Sequence, residues 1–291
     1  MLPEITPLIL TFNEAPNISR ALERLQWAKE IVVVDSVSTD ETETIARRFS
    51  NVVFIQRPFD SFASQCNFGL DHVQSTWVLS MDADYVLTDE LRVEMSRLPA
   101  TADISAYFAR FRYCIAGRPL HASLYPPRAV LFQKSGARYV QDGHAHKLVF
   151  AGHSRLFSGY LLHDDRKSLS RWLDSQRNYA RLEAQRLLES SGRSSSMADR
   201  LRRAIWPAAP AAFLYTLFVK RCLFDGWPGW YYALQRTYAE LLLSLELLDR
   251  RLCPASRLDE EQVAMPETGD SPACSAPVPS LNTSVDSGRR D

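Results

Sequence analysis

Along the first third of the chain, apolar residues come in short unbroken blocks. Leu8-Ile9-Leu10-Thr11-Phe12, Ile31-Val32-Val33-Val34, Val52-Val53-Phe54-Ile55 and Trp77-Val78-Leu79-Ser80-Met81 are four such blocks. Runs of this length, rich in β-branched residues, read as strands buried on both faces, the pattern of a parallel sheet. Between them Ile18, Leu22 and Leu25 keep helical spacing from about Asn17, and Ile45 and Phe49 do so from about Glu41. A third helix is expected near 61–73. Four alternations of strand and helix predict an α/β fold with right-handed crossovers.

Three of the blocks stop abruptly on polar residues. The first runs into Asn13-Glu14, ahead of Pro16. The second ends at Asp35, followed by Ser36, Ser38, Thr39 and Asp40, of which Thr39 or Asp40 suits a helix cap. The fourth runs into Asp82-Ala83-Asp84. Open α/β sheets bind ligands outside the carboxyl ends of their strands, so these residues are candidates for a site. A buried carboxylate at Asp35 needs a partner, and a nucleotide base or ribose would serve. Asp82 and Asp84 can face the same hard cation, since Mg²⁺ or Mn²⁺ takes one or two carboxylates plus substrate phosphates. A solvated turn is the plain alternative for that triplet.

After Asp84 the rhythm changes. A helix at about 88–97 precedes strand-like pieces at 106–113, 129–133, 147–150 and 160–162, read as a mixed sheet that completes the domain. Leu169 to Leu188 forms a long helix, broken by Ser190–Ser196. The apolar stretch 204–219, flanked by Arg200, Arg202, Arg203, Lys220 and Arg221, is too short to span a bilayer and suggests a helix lying in a membrane interface. Two helices packed on the catalytic domain are the alternative for this region. Gly226 to Tyr232 reads as an aromatic-rich turn, and 231–252 as an amphipathic helix carrying Leu234, Tyr238, Leu241, Leu245, Leu248 and Leu252 on one face. The boundaries expected are therefore 1–190, 197–253 and a disordered Pro/Ser/Thr-rich tail at 254–291.

Composition narrows the function classes. Lys+Arg and Asp+Glu are equal at 34 each, so no overall field points to nucleic acid. The five cysteines show neither metal-ligand spacing nor a disulfide framework, which fits a reducing cytosol. No basic region precedes an apolar run at the N-terminus, so a signal peptide is not expected.

Taken in order and spacing, Leu10-Thr11-Phe12-Asn13-Glu14, Val33-Val34-Asp35-Ser36-x-Ser38-Thr39-Asp40, Phe62-Ala63-x-Gln65-x-Asn67-Phe68 and Trp77–Asp84 resemble family 2 glycosyltransferases with a GT-A fold. More narrowly, they look like bacterial β-1,4-glucosyltransferase-like enzymes of the lipopolysaccharide core. The resemblance covers roughly residues 5–250 and is strongest over 8–90. It implies a Rossmann-like GT-A domain with a C-terminal helical extension, binding a nucleoside-diphosphate sugar, with a UDP-sugar first among donors. Carried over by position, Asn13, Glu14, Asp35, Asn67 and Asp82 contact the donor nucleotide. Asp84, helped by Asp82, holds a divalent cation, Mg²⁺ or Mn²⁺, at the diphosphate. Val37 and Cys66 depart from the family, which usually has glycine and often a basic residue at those positions.

Inverting transfer also needs a general base for the acceptor hydroxyl. Gln141-Asp142-Gly143-His144-Ala145-His146 is the expected place. Related enzymes often carry Val-His-Glu where this chain has His144-Ala145-His146, so the family Glu is replaced by His146. Asp142 is the first choice of base and His144 the second. In Leu162-His163-Asp164-Asp165-Arg166-Lys167, His163 is a candidate for diphosphate or metal contact, while Asp164 or Asp165 could instead cap the next helix. Arg128 is read as a phosphate or acceptor contact, or as one half of a surface salt bridge. The expected activity is sugar transfer to a lipid-linked or lipopolysaccharide-core acceptor, by a cytoplasmic enzyme peripheral on the inner membrane. A non-catalytic nucleotide-sugar-binding protein and a sugar nucleotidyltransferase are the rivals.

Overall fold

The computed structural model describes residues 2–99, 103–121, 125–142, 145–189 and 196–253. The proposed tail at 254–291 lies outside them. The four apolar blocks are β1 (Ile5–Thr11), β2 (Ile31–Asp35), β3 (Val52–Gln56) and β4 (Trp77–Asp82). They are joined by α1 (Ile18–Glu23), α2 (Thr42–Ala46) and α3 (Phe62–His72). α2 is shorter than the spacing predicts and ends in turns before Asn51. β1 pairs in parallel with β2 on one side and β4 on the other, and β2 pairs in parallel with β3. β1 and β2 are buried along their whole length, as their unbroken apolar runs require. Gly69 lets α3 settle on β1, because a Cβ there would sit 2.4 Å from Leu8 Cδ1.

The rest of the sheet is mixed. β5 (Tyr85–Leu87), α4 (Asp89–Ser96), β6 (Ile104–Ile115), β7 (Arg118–Pro119) and β8 (Arg128–Gln133) follow. Next come β9 (Arg138–Asp142), β10 (Ala145–Val149) and β11 (His153–His163). The sheet order is β3-β2-β1-β4-β8-β6-β11-β5, with β7 paired to β6. β9 and β10 form a separate antiparallel ribbon. The direction of progression reverses between β1 and β4, which makes their carboxyl ends the topological switch point where α/β sheets bind ligands. One core cluster lies on each face of the sheet, one around Ile9, Val33 and Leu79 and the other around Leu8, Val34 and Leu70.

A strap, residues 164–168, leads from β11 to α5 (Leu169–Glu189). α6 (Met197–Arg203), α7 (Ala208–Leu214), a π-helical turn (Tyr215–Val219) and α8 (Trp227–Leu252) complete the described chain. The expected turn at 226–232 is instead the start of α8. Pro228 occupies the first turn, where no backbone N–H is needed, and Gly226 supplies φ +64° just before it. Gly229 is required there too, since a Cβ would collide with the Cys222 carbonyl. α5 and α8 run side by side, with Trp172 against Tyr238 and Arg250 reaching the Arg181 carbonyl. Arg202 is a correction to the sequence reading. It is 5 % exposed and binds Glu240 at 2.6 Å and Glu183 at 3.3 Å, so it ties helices together and faces no lipid.

Candidate active site

The loops after β1, β2 and β4 meet at the switch point, and hydrogen bonds fix each of them. Asn13 turns the chain at φ +53°. Its Oδ1 accepts from the Thr39 amide at 2.7 Å and the Asp40 amide at 3.3 Å. Asp35 is fully buried, yet its carboxylate is not bare. It accepts from Thr11 Oγ1 and the Ser38 amide, both at 2.8 Å, from the Ser38 hydroxyl, and from Gln56 Nε2 at 3.4 Å. Those four bonds fill the acceptor sites of a carboxylate. The chain itself thus supplies the donors that a buried carboxylate needs, and Asp35 shapes the loop.

Glu14 is 2 % exposed and sits between two donors. Lys167 Nζ lies 2.6 Å from its Oε1, and Asn17 Nδ2 donates to its Oε2 at 2.7 Å. Burial pushes the Glu14 carboxyl up to about 7, against the pull of the Lys167 ammonium. Burial alone would lower Lys167, but Glu14 and Asp165 outweigh it and hold the ammonium charged. Asp165 takes Asn17 Nδ2 at 2.9 Å and the Lys167 amide at 3.0 Å. Asp164 accepts from the Gly117 amide and pairs with Arg166 at 2.8 Å. The cap of α5 is Ser168, whose Oγ accepts from the Arg171 amide, so neither aspartate caps that helix. Arg171 then reaches back to the Asn13 carbonyl at 2.8 Å and fastens α5 to the β1 loop.

The β4 end meets the β11 end beneath this strap. Asp84 is 1 % exposed and its Oδ2 lies 3.0 Å from His163 Nε2. The Asp164 amide donates to the Asp84 carbonyl at 2.9 Å, which locks the two strand ends together. Burial alone would raise Asp84; the His163 charge and hydrogen bond outweigh it and hold the carboxyl below its usual range. His163 is raised in turn by Asp84, against its own burial. Its ring stands edge-on to Tyr85, Tyr113 and Tyr125. Asp82 is half-buried, and burial together with the Asp84 charge pushes it up to about 6. Arg128 stacks 4.9 Å from the Tyr125 ring centroid and draws Asp82 back down.

Two buried atoms of the Asp84–His163 pair, Asp84 Oδ1 and His163 Nδ1, have no hydrogen-bond partner among the described residues. A buried acceptor left bare costs about 1–3 kcal/mol, which a cation would remove. The 3.0 Å between Asp84 Oδ2 and His163 Nε2 is also close to what two neighbouring ligands of one ion show at metal–ligand distances of about 2.1 Å. Among the described residues no group of three or more His, Cys, Asp or Glu is placed to hold a metal. The carboxylates of Asp84 and Asp82 are hard oxygen donors of the kind an Mg²⁺ or Mn²⁺ ion takes alongside water and substrate phosphate.

Asn67 lies on α3 and the backbone of Asp142 on β9. The Asn67 side chain exchanges two hydrogen bonds with the backbone of Tyr139, at 2.8 and 2.9 Å, and so clamps β9 to α3. That gives Asn67 a packing role. Arg138 pairs with Asp71 further along α3, so β9 runs toward the N-terminus of α3 and the carboxyl edge of the sheet. The backbone of Asp142 ends β9 at that edge, while its side chain and the whole of His144 lie outside the described residues. Lys167 and Arg171, which sequence reading missed, act on residues 153 and 158 positions away. Only the run of charge after His163 hinted at them.

The comparisons with known proteins bear on the family and the fold. The family model described as Glycosyl transferase family 2 matches residues 8–151. An uncharacterized glycosyltransferase of Rickettsia felis is 25% identical over 267 residues, covering 86% of this chain and 91% of its own. The lipopolysaccharide core biosynthesis glycosyltransferase LpsC of Rhizobium meliloti is 26% identical over 206 residues, 66% of this chain and 76% of its own. Among solved structures, the mannosyltransferase PcManGT of Pyrobaculum calidifontis, in complex with GDP-Man and Mn²⁺, superposes with a TM-score of 0.50 at 16% identity. That match covers 88% of this chain and 89% of the other, and shows a shared fold. Residues 8–151 thus form a family 2 glycosyltransferase domain of GT-A fold, and the chain is a glycosyltransferase related to those of the bacterial lipopolysaccharide core.

Proposed function

We propose that this enzyme transfers a sugar, with inversion, from a nucleoside-diphosphate donor to a lipid-linked or lipopolysaccharide-core acceptor at the cytoplasmic face of the inner membrane. The observation that carries the donor half is the bare, buried Asp84 Oδ1 at the switch point, beside His163 and Asp82. Asp84 and His163, with Asp82 alongside, would hold the divalent cation. When bound, that ion neutralises charge on the departing nucleoside diphosphate.

The chain's own residues do the remaining work. The Asn13 turn and the Ser36–Asp40 loop, held by Asp35, form the floor for the nucleoside, a uridine in the first instance. Lys167 places an ammonium beside Glu14, where it limits the repulsion between that carboxylate and an anionic donor. Arg171, fixed to the β1 loop, keeps the strap over the crevice. Asp142, carried by β9 to the carboxyl edge of the sheet, is the proposed base, with His144 second.

Two features support the lipid-linked acceptor. LpsC acts in lipopolysaccharide core biosynthesis by its name. The C-terminal helices also expose aromatic rings that water does not favour, Trp206 at 84 %, Phe224 at 74 % and Trp227 at 86 %. Arg221 is exposed and Lys220 partly so beside them, as at an anionic lipid surface. No described helix is long and apolar enough to cross a membrane. The test is donor consumption across UDP-, GDP- and other nucleotide sugars with lipopolysaccharide-core acceptor, in wild type and Asp142→Ala. Loss of transfer with donor binding intact supports Asp142 as the base; unchanged transfer removes it.

A further inference from the structure

A cavity of about 360 Å³ lies beside the donor crevice, between the start of α5, the start of α8 and the strap. Its walls include Trp172, Tyr231, Gln235, Asp165, Lys167 and Tyr113. We infer that this cavity receives the saccharide head group of the acceptor, with the acceptor's lipid tail lying along the exposed apolar stripe of α8. The inference rests on the glycosyl-transfer reading and adds to it the place and chemical class of the second substrate.

Three observations converge on it. First, the lining has the chemistry of a sugar site. Trp172 and Tyr231 offer flat aromatic faces for the C–H side of a pyranose, while the Asp165 carboxylate and the Gln235 amide suit hydroxyl groups. Asp165 Oδ1 is held by Asn17 and the Lys167 amide, whereas Oδ2 meets Lys167 Nζ only at 3.8 Å. The cations at the rim are already matched. Arg166 is paired with Asp164 and Lys167 with Glu14, so the pocket selects a neutral ring over an anion.

Second, the cavity adjoins the proposed reaction centre. Lys167 lines it and bonds to Glu14 at 2.6 Å. Tyr113 lines it and stands edge-on to His163, with ring centroids 4.8 Å apart. A head group held there is therefore one side chain away from the Asp84–His163 pair.

Third, the helix that lines the cavity with Tyr231 and Gln235 also carries an exposed apolar surface. Tyr231 and Gln235 lie on α8 between Trp227, Leu234 and Tyr238. Leu234 is 57 % exposed, and Leu241, Leu245 and Leu252 continue the exposed stripe, while Leu243 and Leu247 on the other side of the helix are buried. α8 spans 26 residues, roughly 39 Å at 1.5 Å per residue. An amphiphile with its ring in the cavity would have its chain on this stripe, which explains why one helix carries both a buried and an exposed apolar face.

The test uses the full chain and ligand-observed NMR with methyl and octyl glycosides of glucose, galactose and mannose, below their micellar concentrations. At least one octyl glycoside is expected to bind at least tenfold more tightly than its methyl counterpart. Trp172→Ala is expected to weaken both at least tenfold, with Trp172→Phe intermediate and available should the alanine variant not fold. Leu234→Asn with Leu241→Asn is expected to erase the octyl advantage while methyl glycoside binding stays. No binding by any glycoside, or octyl binding undiminished in the Trp172 variants, overturns the proposal. So does a concentration-dependent dimer that the double asparagine variant abolishes, because the stripe would then belong to a second copy. A parallel titration with UDP and Mn²⁺ keeps the two readings apart. Its failure would count against the donor site alone, and its success alongside failed glycoside binding would count against this pocket alone.

Discussion

Asp84 Oδ2 lies 3.0 Å from His163 Nε2 across the ends of two strands, and the second oxygen of the same carboxylate has no hydrogen-bond partner. This pairing joins residues 79 positions apart. It predicts that His163→Gln, which keeps a polar side chain of similar reach, loses about 10–100-fold in Mn²⁺-supported nucleotide affinity. Calorimetric titration of UDP with and without Mn²⁺ checks it. Equal affinity in wild type and variant would remove His163 from the cation site.

The Glu14–Lys167 pair is buried on both sides, at 2 % and 3 % side-chain exposure. Removing one partner strands the other charge. Lys167→Met is expected to cost about 3–5 kcal/mol of folding stability, and a second change, Glu14→Leu, to recover much of it. Urea unfolding of the two single variants and the double variant measures the coupling. Additive losses would show that the pair does not act as a unit.

Val37 adopts φ +62°, a conformation that suits glycine and strains a β-branched residue. Its side chain is 46 % exposed, so little packing is lost on its removal. Relief of strain at about 1–2 kcal/mol outweighs the extra backbone entropy of glycine at about 0.5–1 kcal/mol. Val37→Gly should therefore stabilise the protein slightly and raise its melting temperature. A lowered melting temperature would contradict this account of the loop.

Acid should loosen the C-terminal helices. Burial alone would raise the Asp199 pKa, but Arg186, hydrogen-bonded at 2.8 Å, outweighs it and holds the carboxyl below its usual 3.8. The folded state then binds fewer protons than the unfolded chain between those two values. The stability from this pair is complete above the unfolded pKa and is lost as pH falls through the folded one. Circular dichroism melts from pH 6 to pH 3 should show a shallower loss in Asp199→Asn than in wild type. Parallel curves would assign the acid sensitivity elsewhere.

The first half of the fold was legible because its signals are local. Each of β1 to β4 is a continuous apolar run, and the carboxyl ends of β1, β2 and β4 are marked by polar clusters within a few residues. Asp82 and Asp84 could be placed at a strand end for that reason. Val37 was visible as a departure from a glycine, and the positive φ gives the physical cause. The partners of the carboxylates were not legible. The partners Asp35 needs, Thr11 and Gln56, lie on neighbouring strands, and Glu14 gave no sign of Lys167, 153 residues on. Gly226 and Pro228 read as breakers, yet both sit where a helix start tolerates them. β5 is three residues long, too short to show alternation.

The most direct test of the central claim is turnover of a panel of nucleotide sugars with Mg²⁺ or Mn²⁺, by wild type and by Asp84→Ala. The account predicts that one donor is consumed in a metal-dependent manner, and that Asp84→Ala lowers this at least a hundredfold while remaining folded. Metal-independent consumption, or undiminished activity in Asp84→Ala, would contradict it.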